Sequence, residues 1–452
     1  MSVDTHPTGH RDDTGVAPAA PKPGPAARII AGSLAAGMAA ALVLSLAVFP
    51  GGTEGVITGS VLLGFGFGWA LIAVLTARYT TRPQRWAAVP AAAMGATGPA
   101  LIAVDPGNAA MTALNWIWPP VVLALSAWIL VRLRRNLTGR GRRLLIPVVA
   151  VLALASIGAT VENLTHDRNG YPAPGTSYQV NGHRLHLDCR GQGGPTAVLF
   201  NGLGEISASW ARITGQVAGT TRVCAYDRAG QGWSADAAHP QDGVAAADDL
   251  HDLLAAAGGT GPYVLVGHST GGTYAMTYAA RYPEQVAGMV LLDSSSPEQF
   301  TRISAYAGQY AVMRRGLALL PTVDRLGLGR MLAPASHLPA PAAGQVDALA
   351  ATPRAARNGR DELSVVLDVF TQAQALTTLD DRPLAVLTTT ESLDGAGWAG
   401  AQDRLARLST NQVHRTVDAT HAGIIEDEAP AAESVRAITE VIAAVRTGSH
   451  LR

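Results

Sequence analysis

The sequence predicts an α/β domain, a mostly parallel sheet with helices on both faces, preceded by about five transmembrane α-helices. Three observations carry that expectation. Five apolar stretches of near-bilayer length fill the first third of the chain. Short apolar strands alternate with amphipathic helices through the rest. One long strandless segment interrupts that alternation, too long for a simple loop in a compact domain.

Of the 452 residues, 48% are hydrophobic and only 15% charged, against about a quarter charged in soluble domains. The formal net charge is zero, so nothing in the charge balance supports a nucleic-acid partner. Two cysteines, Cys189 and Cys224, exclude a cysteine-based zinc site and a disulfide-dense scaffold. The histidines and acids form no H-E-x-x-H cluster, so neither metal nor cofactor is expected.

Residues 1–25 are rich in Pro, Gly, Asp and Thr without apolar periodicity and read as a disordered cytoplasmic tail. Residues 26–162 form the membrane region. Its apolar stretches run from Ile29 to Phe49, Val56 to Thr76, Ala87 to Val104, Thr112 to Val131 and Leu144 to Val161, each near the ~20 residues an α-helix needs to span a bilayer. Basic residues set the orientation. Lys22 and Arg28 precede the first stretch, Arg78, Arg82 and Arg85 follow the second, and six arginines from Arg132 to Arg143 follow the fourth. The other two loops carry Glu54 and Asp105 and no Lys or Arg. Positive loops stay cytoplasmic, so a plasma-membrane protein with an inside amino terminus and an extracytoplasmic second domain is expected. No acid or base lies within the five apolar cores, which favours an anchor over a conduit.

Residues 163–452 form the second domain. Pro172, Pro174 and Gly175 mark a linker. Tyr178–Val180, the Asn181-Gly182 turn and Arg184–Leu187 read as a β-hairpin. Thr196–Phe200, Arg222–Tyr226, Tyr263–Val266 and Val286–Leu292 read as buried strands, with Leu384–Leu387 and Val413–Val417 as the last two. Helices are expected over Gly243–Ala257 and Ala432–Val445. From about 297 to 380 no strand is evident and prolines divide short helical patterns, so a helical insertion over the carboxyl edge of the sheet is expected.

Gly267-His268-Ser269-Thr270-Gly271 fits G-x-S-x-G between a strand and a helix. That turn is so sharp that its serine takes a strained backbone conformation. Small neighbours let strand and helix approach, and the hydroxyl stands proud of the sheet.

Here the chain, from roughly Tyr178 to Val445, resembles the α/β-hydrolase superfamily, and in particular its serine esterases and lipases. Phe200-Asn-Gly-Leu-Gly204 stands where the family places its oxyanion loop, with Asn201 departing from the commoner histidine. Tyr226-Asp-Arg-Ala-Gly-Gln-Gly-Trp-Ser234 is similar to the family's turn after the fourth strand, where Asp227 is expected to be structural. Val417-Asp-Ala-Thr-His421 is similar to the approach to its catalytic histidine. The resemblance implies a nucleophile at Ser269, a base at His421, and oxyanion donors at the backbone N–H groups of Leu203 and Thr270. His268 is expected to be structural. For the acid, Asp293 at the tip of the sixth strand is the first choice, and Asp394 and Glu391 after the seventh remain open. The resemblance also makes the second and fourth strands antiparallel neighbours, which would bring Cys189 and Cys224 within disulfide reach.

The reading is a membrane-anchored serine hydrolase that cleaves an ester or amide through an acyl-serine. Its partners are the bilayer and a small-molecule or lipid-like acyl substrate. Phe300, Tyr306, Tyr310 and Met313 offer apolar walls. A peptidase of the proline-iminopeptidase type, a non-catalytic binding module on an anchor, and a transporter with an accessory domain are the alternatives. Alkaline phosphatase fusions test the orientation: one after Glu162 is expected to be active and one at Arg140 inactive, and the reverse pattern would overturn it.

Overall fold

The computed structural model describes residues 25–165, 171–332 and 335–452. The expected tail therefore lies, apart from Pro25, outside the described residues. Helices α1 (Pro25–Val43, continued by a π turn to Val48), α2 (Glu54–Tyr79), α3 (Ala88–Val104), α4 (Asn108–Asn136) and α5 (Gly139–Thr165) form the first unit. They give five helices long and apolar enough to cross a membrane. Thr53 starts α2 by accepting the Val56 N–H at 3.3 Å. Helices α2 and α3 meet through glycines: a Cβ on Gly59 would lie 2.6 Å from the Gly98 carbonyl oxygen, and one on Gly98 2.7 Å from that of Gly59. Small residues at such crossings let helix backbones touch.

The second unit is built on an eight-stranded sheet in the order β1-β2-β4-β3-β5-β6-β7-β8. The strands are β1 (Thr176–Val180), β2 (His183–Arg190), β3 (Thr196–Phe200), β4 (Val223–Asp227), β5 (Tyr263–His268), β6 (Val286–Leu292), β7 (Leu384–Thr389) and β8 (Gln412–Val417). β2 runs antiparallel to both β1 and β4; the other pairs are parallel. Between β3 and β4 lies α6 (Ala211–Val217), and between β4 and β6 lie α7 (Gly243–Ala256) and α8 (Gly271–Arg281). The central strands are buried on both faces, which is why they read as unbroken apolar runs rather than alternating ones. One core packs Leu250, Leu253, Tyr274 and Tyr278 of α7 and α8 against the sheet.

Between β6 and β7 stand α9 (Gln299–Arg302), α10 (Tyr306–Asp324), α11 (Gly329–Leu332), α12 (Ala342–Ala350), α13 (Pro353–Ser364) and α14 (Val366–Ala373). After β7 come α15 (Thr390–Leu393) and α16 (Trp398–Ala406), and after β8 come α17 (Gly423–Glu426) and α18 (Glu428–Thr447). The opposite core packs Ile213 and Val217 of α6 with Ala437, Ile438, Val441 and Ile442 of α18.

The α9–α14 insertion rests on one end of the five apolar helices. Arg325, at the end of α10, pairs with Glu54 at the start of α2, with Nη2 3.1 Å from Oε2. The Thr58 and Thr322 hydroxyls are 3.0 Å apart, and Arg315 Nε donates to the Leu46 carbonyl at 3.0 Å. Asn108, opening α4, donates to Asp236 at 2.5 Å. All these contacts fall at the end of the bundle whose loops lack arginine.

Cys189 and Cys224 are directly opposed on β2 and β4 and form a disulfide with a Cα–Cα distance of 4.0 Å. The bond closes a loop with a sequence separation of 35. Such a closure removes freedom from the unfolded chain worth ~2–4 kcal/mol. Thiol labelling of the denatured, unreduced protein is therefore expected to find no free thiol, and replacing both cysteines by serine is expected to lower unfolding stability by about that amount.

Candidate active site

β5 ends in a fully buried run, and the chain then turns through Ser269, whose φ is 52°, into α8. A non-glycine residue in this left-handed region is strained, and the surrounding packing has to hold it there. The Ser269 N–H donates to the Leu292 carbonyl at 3.2 Å and its carbonyl accepts the Ser295 N–H at 2.9 Å, so the turn is pinned to the end of β6. The flanking glycines leave no alternative. A Cβ on Gly271 would lie 2.1 Å from the Phe200 carbonyl oxygen, and one on Gly267 2.5 Å from the Gly272 Cα.

One strand over, Asp293 follows β6 with φ 43° and is fully buried. Its Oδ2 lies 2.5 Å from Nδ1 of His421, which sits on the loop between β8 and α17. Thr389 gives Asp293 its N–H at 3.1 Å and its hydroxyl at 3.0 Å, and Ser392 donates at 2.6 Å. Burial pushes the Asp293 carboxyl up, but the hydrogen bonds from His421 and Ser392 outweigh it and hold the group below the usual carboxylate range. With Nδ1–H committed to Asp293, Nε2 is left as the acceptor. The other two candidate acids do not reach the ring. Glu391 accepts the His421 backbone N–H at 2.6 Å, and Asp394 is exposed just after α15. Among the described residues Ser269 Oγ makes no hydrogen bond to His421; such contacts are often long without substrate and tighten in the complex.

The loop after β3 crosses directly above the serine, since a Cβ on Gly202 would lie 2.9 Å from Ser269 Cβ. Neither the Leu203 N–H nor the Thr270 N–H has an acceptor among the described residues. Asn201 is buried and uses both ends of its amide: Nδ2 donates to the Tyr226 carbonyl at 2.9 Å and Gln231 at 3.0 Å, and Oδ1 accepts from the Trp210 indole at 2.8 Å. Arg228 donates to the Asn201 carbonyl at 2.6 Å and pairs with Glu362 of α13 at 3.0 Å, tying the insertion to this loop. Asp227 is buried and accepts from the Ser207 N–H at 2.6 Å, the Trp233 N–H at 3.1 Å and His186 at 2.8 Å.

The sequence reading missed Glu205, Arg228 and Glu362. Their partners are distant in the chain, and no local pattern marks them. His268 is buried, its ring centroid 4.7 Å from that of His421. Its Nδ1 pairs with Glu205, and its Nε2–H donates to the His421 carbonyl at 2.9 Å. Glu205 in turn accepts the Gly202 N–H at 2.5 Å. Burial alone would lower His268 and raise Glu205, but their mutual attraction wins: the imidazole is raised and the carboxyl lowered. Of the expected apolar walls, Phe300, Tyr306 and Tyr310 cluster with Leu203, Leu363, Val366 and Phe370. Met313 does not join them: it is exposed where α10 leaves the site and runs toward residues 46–51.

Residues 195–318 match the family model for the alpha/beta hydrolase fold. With the strand order and the helical insertion above, the second unit is an α/β hydrolase by fold. A lipase of Mycobacterium tuberculosis, LipV, is 41% identical over 117 residues, 24% of this chain and 41% of its own length. An uncharacterized protein of Schizosaccharomyces pombe is 31% identical over 175 residues, 32% of each chain. The chain spans less than half the length of these curated relatives. The crystal structure of the Cif epoxide hydrolase from Acinetobacter nosocomialis superposes with a TM-score of 0.50 at 16% identity, covering 63% of this chain and 95% of that one.

The Glu205–His268 pair sets a pH test. The depressed Glu205 contributes stability above its ordinary 4.5, lost as pH falls through its folded value. The raised His268 contributes below its ordinary 6.5, and that is lost as pH rises through its folded value. Glu205→Gln, which strands a buried partner, is expected to cost about 3–5 kcal/mol between those values. In thermal unfolding across pH, the gap from wild type should be widest there and narrow on both sides.

Proposed function

We propose that the protein is a membrane-anchored serine hydrolase that cleaves esters through an acyl-serine on Ser269. The observation that carries this reading is the 2.5 Å contact between Asp293 and His421 on the sheet edge that also presents Ser269. In the proposed reaction His421 Nε2 takes the Ser269 proton as Oγ attacks the acyl carbon. Asp293 holds the ring tautomer and offsets the imidazolium charge. The developing oxyanion is met by the Leu203 and Thr270 N–H groups, which have no acceptor among the described residues. His421 returns the proton to the leaving alcohol, and a water repeats the sequence to free Ser269.

A serine at this turn favours an acyl-enzyme over the aspartate nucleophile on which related dehalogenases rely. The anchor reading is supported by five apolar helices of spanning length, and the extracytoplasmic placement by the hydrolase unit resting on the arginine-poor end of the bundle. The apolar walls of Phe300, Tyr306 and Phe370 suit an acyl chain.

A fluorophosphonate probe is expected to label wild type and not Ser269→Ala. Asp293→Asn is expected to lower kcat on acyl esters by about 10²–10⁴-fold with little effect on KM. An unlabelled wild type would instead favour a binding module.

A further inference from the structure

A cavity lies away from Ser269, where the hydrolase unit meets the apolar helices. It has a volume of about 210 Å³ and is lined by Asn108 of α4, by Gln241, and by Arg354, Arg357, Arg360 and Glu362 of α13, among others. It is smaller than the ~300–1,000 Å³ of sites for drug-sized ligands. None of Ser269, His421 or Leu203 lines it.

Its polar groups are only partly used. Arg354 is committed to Asp236 at 2.7 Å and to the Gly232 carbonyl at 3.0 Å. Arg360, 8% exposed, gives Nε and Nη2 to Asp361, while its buried Nη1 has no partner among the described residues. Arg357, 9% exposed, places its Nε 3.5 Å from Glu54 Oε2, an ion pair without a hydrogen bond, and Glu54's closer partner is Arg325. On the acceptor side, Glu362 Oε2 and Gln241 Oε1 are buried and free. Buried polar atoms are rarely left unpaired, and each demands an explanation. The free Arg360 Nη1, beside an Arg357 held only loosely by Glu54, suits an anion, and guanidinium forks suit phosphate oxygens. Burial first, with Arg325 and Arg360 adding to it, outweighs Glu54 and pulls Arg357 down to about 10, so its positive charge is incompletely matched. Two free acceptors ask for donors on the same ligand. Glu362 already faces Arg228, so an uncharged hydroxyl suits it.

We propose that this cavity binds a hydroxyl-bearing phosphate ester, the chemistry shared by a phosphatidylglycerol headgroup and free glycerol phosphate. Arg357 and Arg360 take the phosphate; Glu362 and Gln241 take the hydroxyls. Asn108 opens α4 and lines the cavity. If the helices cross the bilayer as proposed, the cavity sits at headgroup level, which favours the lipid source.

The experiment uses the full chain. Thermal unfolding is measured in detergent with free glycerol phosphate, and in phosphatidylcholine nanodiscs with and without phosphatidylglycerol. Stabilisation by either probe is expected, weakened about tenfold or more in apparent affinity by Arg360→Gln and unchanged by Arg436→Gln, at an exposed position of α18. Arg360→Lys, which keeps the charge without the fork, should fall between and serves if Arg360→Gln does not fold. A response to glycerol phosphate alone assigns a soluble ligand, and a response to phosphatidylglycerol alone assigns a lipid. No response to either probe, or the same response in wild type and both Arg360 variants, overturns the proposal. Ester cleavage is not read, so this outcome is independent of the proposed hydrolysis.

Discussion

The register of three parallel strands is the constraint on which the site depends. Leu265 to His268 of β5 pair with Met289 to Leu292 of β6, and Met289 to Leu292 pair with Leu384 to Leu387 of β7. The hydrogen bonding continues one residue past the strands: Ser269 N–H to Leu292 and Asp293 N–H to Leu387, at 3.2 and 2.7 Å. Both residues therefore leave the sheet at adjacent points, and both do so with positive φ. Strain of this kind costs of order 1–3 kcal/mol per residue and persists only where packing over-determines it. Here the packing is a sheet centre buried on both faces, closed behind the serine by glycines that leave no room for a Cβ.

Around that frame, buried ion pairs fix the loops that the sheet does not. Glu205–His268 joins three segments: the Gly202 N–H, the residue before Ser269, and the carbonyl of His421. Arg228–Glu362 joins the loop after β3 to the helical insertion, with the guanidinium 4.1 Å above the Tyr274 ring. Pairs like these add little net stability over an apolar replacement, yet removing one partner is costly. Their value lies in geometry, since they hold His421, the Ser269 turn and the loop after β3 relative to one another.

The insertion has two sides. Its inner side supplies the aromatic cluster against Leu203, and its other end rests on the apolar helices through Arg325, Thr322 and Arg315. Movement of α10 would therefore be felt both in the apolar wall and at the start of α2. The α9–α14 insertion touches both units in this chain, which gives the apolar helices a physical connection to the candidate site.

Much of this was legible in the chain. Five runs of apolar residues set five helices long and apolar enough to cross a membrane, because a helix satisfies its own backbone groups and about 20 residues match a bilayer. Unbroken apolar runs such as Tyr263–Val266 set central strands, and Gly267–Gly271 set the sharp turn, because backbone sterics are local. What the sequence left open was non-local. Asp293, Glu391 and Asp394 were all eligible to face His421, and only the strand register brings Asp293 to Nδ1 while the others turn to the backbone or to solvent. Glu205 and His268 lie 63 positions apart, and Arg228 and Glu362 134 apart, so no periodicity could pair them. Local sterics and hydrophobic length are written in neighbouring residues; the partner of a charge is chosen by whichever distant element the packed sheet carries to it.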